Sequence, residues 1–245
     1  MSVLLYESRD HIATITINRP EKRNAMSEEV CVKLRDAWQH FAASDDRVAI
    51  ITGAGEAAFS GGADLVDTPK AFWQCVPGLG VPVDKPVIAA LSGWCVGGAV
   101  VLAMMADIAV ATEDTRLLYP EAKVGIFGGV MAGLVSRMPH KVAMELMLVG
   151  DEMSAERAYQ IGFINRLVRR GKHVEAAREY AGKISANAPL VLQTIKRFAA
   201  ATLPRGPAEH FYPEVGRLAA IMASADKDEG VNAFKEKRKP RFSGK

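Results

Sequence analysis

The chain has 245 residues, 49% hydrophobic and 24% charged, with a formal net charge of +3. This length can bury a full core as one domain or two, and the composition is that of a soluble globular protein. The mild positive charge does not by itself call for nucleic acid, and no apolar run is long enough to cross a bilayer.

The first residues turn charged at Glu7, too early for a secretory apolar region. From Ala13 to Ile17, apolar Ala13, Ile15 and Ile17 alternate with Thr14 and Thr16, the pattern of a half-buried strand. Ser27 can cap a helix whose first turn holds Glu28 and Glu29. Val30, Leu34, Ala37, Trp38 and Phe41 form its apolar stripe. Val48-Ala-Ile-Ile and Val87-Ile-Ala-Ala-Leu are near-continuous apolar runs, read as strands buried on both faces. Between them, the stretch from Leu65 to Lys85 is broken by three prolines and two glycines, so its path is not readable.

Val96 to Met105 reads as a core helix starting at Gly97-Gly98. Ser154 to Gln160 is a second short helix, stopped by Gly162 and followed by a strand from Phe163 to Val168. Strands then cease. Val174, Ala177, Ala181 and Ile184 share a helical face, Pro189 can open another helix, and Pro204, Pro207 and Pro213 punctuate the remainder. Alternating units followed by helices alone predict an α/β core with a helical appendage.

Cys31, Cys75 and Cys95 make no close metal or redox pair along the chain, and an odd count argues against a disulfide framework. The five histidines lack ligand spacing. A cytoplasmic protein without a metal is expected.

The strongest chemical signal is a pair of glycine-centred turns, Phe59-Ser-Gly-Gly-Ala-Asp-Leu65 and Gly93-Trp-Cys-Val-Gly-Gly-Ala99, each after a strand-like run. Either alone reads equally as a loop or a tight packing point. Together they can aim two backbone N–H groups, at Ala63 and Gly98, at one oxygen. The second has a helix N-terminus behind it.

The stretch Lys85-Pro-Val-Ile-Ala-Ala-Leu-Ser-Gly-Trp-Cys-Val-Gly-Gly-Ala, then Leu102-Ala-Met-Met-Ala-Asp-Ile and Tyr119-Pro-Glu-Ala-Lys-Val-Gly, resembles the enoyl-CoA hydratase/isomerase (crotonase) superfamily. Asn18-Arg-Pro-Glu-Lys-Arg-Asn-Ala25, Leu148-Val-Gly-Asp-Glu-Met-Ser-Ala and the tail Phe234–Phe242 extend the likeness nearly end to end. The resemblance implies a spiral of repeated β-β-α units over residues 1–185. A helical trimerisation region would occupy 186–245 and assemble a homotrimer or a dimer of trimers. It implies an acyl-CoA substrate that itself carries coenzyme A, with no permanently bound cofactor.

The resemblance also assigns roles. Ala63 and Gly98 are the oxyanion donors, each worth on the order of 3 kcal/mol by analogy with measured oxyanion holes. Glu121 is the acid/base. Asn24, Ala25, Ser60, Gly61, Gly62, Asp64, Leu65 and Lys235 contribute to the substrate and CoA site, although Asp64 reads more readily as the cap of a short helix that follows. Leu117, Leu118, Val124, Ile126 and Phe127 are the apolar surroundings expected to raise the Glu121 pKa. Hydratases of the family carry a second Glu one turn past the Gly98 position, where this chain has Val101. Adding water is most simply served by two carboxylates, whereas moving a double bond needs only one. Isomerisation, or another enolate reaction run by Glu121 alone, is therefore favoured. Asp67 is the first candidate for a replacement acid, and Phe72, Trp73, Trp94 and Phe127 for shaping the acyl pocket. A CoA-binding scaffold without catalysis is the alternative. An RNA-binding homologue using the basic tail (235, 237, 238, 239, 241 and 245) ranks below both.

Overall fold

The computed structural model describes residues 2–244. Ten strands form two sheets. The larger runs, in spatial order, β1 (Leu4–Arg9), β2 (Ile12–Ile17), β3 (Val48–Gly53), β5 (Val87–Leu91), β7 (Ile108–Thr112) and β10 (Arg166–Val168). Only the β1–β2 pairing is antiparallel in it. The smaller sheet is β4 (Ala58–Ser60), β6 (Trp94–Val96), β8 (Arg116–Leu118) and β9 (Met153–Ser154). Successive passes of the chain give one strand to each sheet and then a helix: β5, β6 and α2 (Gly98–Met105); β7, β8 and α3 (Glu121–Val124). That repetition is the crotonase-like β-β-α spiral.

Helix α1 (Glu28–Ala43) starts where Ser27 Oγ accepts from Val30 N–H, and it buries Val30, Leu34, Ala37, Trp38 and Phe41. On the other side of the larger sheet, α6 (His173–Ser185) packs Ala177 and Ala181 against Ile12, Val48, Ile50 and Ile88. The half-buried reading of β2 is corrected by this helix: Thr14 is buried too, its Oγ1 accepting from Arg178 Nη2 at 3.0 Å. β10 is shorter than its apolar run. Phe163 and Ile164 instead fold back, donating their N–H groups to the Ala158 carbonyl at the end of α5 (Ala155–Gln160).

After α4 (His140–Val149), α5 and α6 come α7 (Pro189–Thr202), α8 (Pro207–Met222) and α9 (Ala225–Lys235). Pro189 and Pro207 open helices, as fits their fixed φ. Pro213 does not break one; it lies inside α8. The interior-proline cost of about 3 kcal/mol is opposed by contacts on either side of it. Glu209 pairs with Arg137 at 2.9 Å, Tyr212 stacks on Trp73, and Gly216 lies against the same indole. Cys31 and Cys75, far apart in sequence, meet between α1 and the 3-10 turn Phe72–Cys75. Burial pushes the Cys75 thiol up, and the neighbouring Cys31 thiol adds to this. The expectation of no close cysteine pair therefore holds along the chain but not in space.

Candidate active site

Three adjacent parallel strands of the smaller sheet end at the same rim. Their register aligns Ser60 with Cys95, and Cys95 with Leu117. Ala63 lies three residues past the first of these positions, Gly98 three past the second, and Glu121 four past the third. Neighbouring strands sit about 4.8 Å apart, so ordinary pairing carries all three to one place. Ligands on α/β sheets commonly bind at this end of the strands.

The turns touch. Gly62 (φ 86°) lies so close to the second turn that a Cβ on it would come within 2.7 Å of the Val96 carbonyl oxygen. A Cβ on Gly97 (φ 57°) would lie 2.6 Å from Glu121 Oε1. Only glycine meets both demands, a left-handed φ and no side chain. The Gly97 N–H donates to the Leu118 carbonyl at 2.8 Å, fixing the second turn to the strand that leads to Glu121.

Both candidate amides are open. Met26 donates to the Gly62 carbonyl at 2.8 Å and accepts from Asp64 N–H at 2.9 Å. The residues flanking Ala63 are thereby held, and its own N–H is left over. Gly98 is the first residue of α2, and no side chain caps that helix. Among the described residues neither N–H has a partner, and at Gly98 the helix dipole adds partial positive charge.

Glu121 Oε2 is buried without a hydrogen-bond partner. Burial pushes the carboxyl up to about 7, opposed only by its own backbone N–H. Its charge in turn helps hold the Tyr119 hydroxyl protonated, after burial. Of the surroundings anticipated in sequence, Leu117 is buried and Leu118 half-buried, whereas Val124, Ile126 and Phe127 are exposed. The other oxygen, Oε1, is the one that faces Gly97. The resulting group can both take and give a proton near neutrality. Val101, one turn past Gly98, is buried. The face of Gly98 itself is covered by Phe72 and Met26, whose nearest atoms lie 2.8 and 3.2 Å from where a Cβ would be.

Several polar residues assigned to the substrate have side chains bonded within the fold. Asn24, 1% exposed, donates to the Ala54 and Ala58 carbonyls and accepts from Arg19 N–H. Ser60 Oγ accepts from Gly62 N–H. Asp64 accepts from the N–H groups of Val66 and Asp67 and pairs with Arg19 at 3.0 Å, which holds its carboxyl below the usual range. It caps a turn; no helix follows. Leu65 and Asp67 are exposed, and no contact brings Asp67 to Glu121. Phe127 is 64% exposed, while Phe72 lies against Gly98.

Ala25 and Gly61 line a cleft of about 360 Å³ with Lys22, Arg23, Trp94, Val96 and Leu118. Its cations are Lys22 and Arg23, which the sequence reading did not single out. Lys235, exposed at the end of α9, has no contact with either turn. In the tail, Arg238 is paired with Glu229 and Glu236, and Lys245 lies outside the described residues. A larger hollow of about 670 Å³ lies between the far end of α2 and helices α7 and α8, and it includes neither turn nor Glu121. Volume alone does not mark the site.

Open main-chain donors beside a carboxyl poised near neutrality, on this spiral, define an enzyme class that moves protons next to a carbonyl. Residues 7–245 match the enoyl-CoA hydratase/isomerase family, and the chain belongs to it. It is 34% identical over 253 residues to an (E)-benzylidenesuccinyl-CoA hydratase of Thauera aromatica, covering 97% of this chain and 98% of that one. It is 36% identical to a carnitinyl-CoA dehydratase of Salmonella typhi over the full length of both. A carnitinyl-CoA dehydratase structure from Mycobacterium avium 104 superimposes with a TM-score of 0.77, at 34% identity and complete coverage of both chains. The protein is thus an enzyme of a family acting on CoA thioesters.

Proposed function

We propose that this enzyme stabilises the enolate of an acyl-CoA thioester with the N–H groups of Ala63 and Gly98. Glu121 alone carries protons to and from the acyl chain. The observation that carries this reading is the buried, unpartnered Oε2 of Glu121, whose other oxygen faces Gly97, with apolar Val101 where the resemblance puts a second carboxylate. On a 3-enoyl-CoA a single carboxyl can take the C2 proton, giving a dienolate, and return a proton at C4, which moves the double bond to C2–C3; it can also assist water addition, but the first asks less of the site. Migration of a double bond is therefore the favoured reaction. The names of the relatives make hydration or dehydration the competing one.

The cleft at Ala25 and Gly61, with Lys22 and Arg23 at its edge, suits the phosphate-bearing portion of coenzyme A. The division at residues 185 and 186 and the homotrimer, alone or paired, belong to the same proposal. Their support is the exposed apolar set of α7 and α8, including Leu190, Ile195, Phe198, Leu218 and Ile221. Among the described residues no helix is long and apolar enough to cross a membrane. We assign the enzyme to the cytoplasm, where its three free thiols would persist.

Parallel assays with a 3-enoyl-CoA and with a 2-enoyl-CoA plus water test the reaction. Double-bond migration that outpaces hydration, and falls at least about 100-fold in Glu121→Gln, is the expected result. Faster hydration would overturn the preference, and undiminished turnover in Glu121→Gln would overturn the role of Glu121.

A further inference from the structure

Helix α8 reaches back over the site with one side chain that touches two of its parts. The Tyr212 ring stacks on Trp73, with centroids 5.2 Å apart and planes 10° from parallel. Its hydroxyl donates to the Gly128 carbonyl at 2.9 Å. Trp73 follows Phe72, whose ring covers the Cα of Gly98. Gly128 belongs to the loop that follows Glu121. So α8 connects the wall beside one oxyanion donor to the segment carrying the acid/base.

That loop has little else to hold it. Gly125 and Gly129 both have positive φ, 73° and 79°, and a Cβ built on Gly125 or Gly128 would meet nothing within 4 Å. Ile126 and Phe127 are exposed. At its near end the Ile126 N–H donates to the Glu121 carbonyl at 3.0 Å. At its far end the fixed points are the Tyr212 hydroxyl on Gly128 and the contact of Gly129 with Ala208, also from α8. Three glycines in five residues make a segment with high conformational entropy, and a hydrogen bond at its far end restricts it.

We propose that Tyr212 is a positioning residue, holding the Phe72–Trp73 wall and the Glu121 loop in register so that the carboxyl stays seated against Gly97. The inference rests on the function proposed above for Glu121, and its physical content, the restraint of the loop, can be read without substrate.

The test uses the full-length protein with Tyr212→Phe, which keeps the stack and removes the hydroxyl, and Tyr212→Leu, which removes both. Tyr212→Phe is expected to lower kcat about fivefold, the worth of one hydrogen bond, with KM within about twofold. Tyr212→Leu is expected also to raise KM, because the wall loosens. Water reaching Glu121 should move the acid limb of the pH–rate profile of Tyr212→Phe to lower pH, a change that a merely structural tyrosine would not cause. Hydrogen exchange at the amides of residues 126–129 should quicken in both variants without any ligand. A Tyr212→Phe enzyme with wild-type kcat and an unmoved acid limb would overturn the inference. So would wild-type exchange at 126–129, even if no acyl-CoA is turned over. A wild-type enzyme without turnover, whose loop amides nevertheless exchange faster in Tyr212→Phe, would fault the reading of Glu121 and leave the restraint standing.

Discussion

Glu121 keeps a proton near neutrality because burial removes water from Oε2 and supplies no donor in exchange. Its folded pKa of about 7 lies above the ordinary glutamate value of about 4.3. Between the two, the folded chain holds a proton that the unfolded chain has lost, so this group's effect on stability worsens as pH rises through that window. Glu121→Gln, always neutral, should therefore raise the melting temperature more at pH 8 than at pH 5, as thermal scans at the two pH values will show. In the wild type, where the carboxylate must act as base, turnover should climb through about pH 7 and then level. Gly97→Ala places a methyl 2.6 Å from Glu121 Oε1 at φ 57°, and Gly125→Ala meets open space at φ 73°. Both should lose more than about 1 kcal/mol in denaturant titrations, but only Gly97→Ala should also lose most of its turnover. At this scale the two glycine turns and Glu121 were legible, since few residue types satisfy their backbone and chemical demands. The hydrogen bonds of the Asn24, Ser60 and Asp64 side chains were not legible, because a polar side chain in a motif looks the same whether it meets a ligand or, as here, the chain's own amides and an arginine.

Elements with local determinants were read well. The Ser27 cap and the 3.6-residue stripe placed α1, and near-continuous apolar runs placed β3 and β5 as buried strands. Pro213 shows where that approach fails. Local propensity ends the helix there, whereas contacts with residues about 70 to 140 positions away carry α8 through it. The Arg137–Glu209 pair is the strongest of those ties by burial, with side chains 15% and 6% exposed. Arg137→Met would leave Glu209 charged and unpaired in a dry place. That should cost about 3–5 kcal/mol, measured by urea unfolding, while Arg137→Met combined with Glu209→Leu should recover most of it.

The whole molecule arranges the chemistry by sheet geometry and leaves its C-terminal helices with uncovered apolar faces. On α7, Leu190, Ile195 and Phe198 are all more than half exposed, which suits burial against further copies of the chain. Phe198→Glu should shift the assembly toward monomer, read by light scattering after size exclusion, with little change in secondary structure by circular dichroism. The sequence by itself determined strands β3 and β5, helix α1, the glycine turns and a candidate carboxyl at Glu121, because each leaves a mark within a few residues. Only the tertiary structure decided that Phe72 and Met26 cover Gly98, that Tyr212 ties α8 to the Glu121 loop, and that Glu121 Oε2 is buried without a partner. Burial, hydrogen-bond partners and proton affinity depend on neighbours brought together from distant parts of the chain, and no local pattern encodes which neighbours those will be.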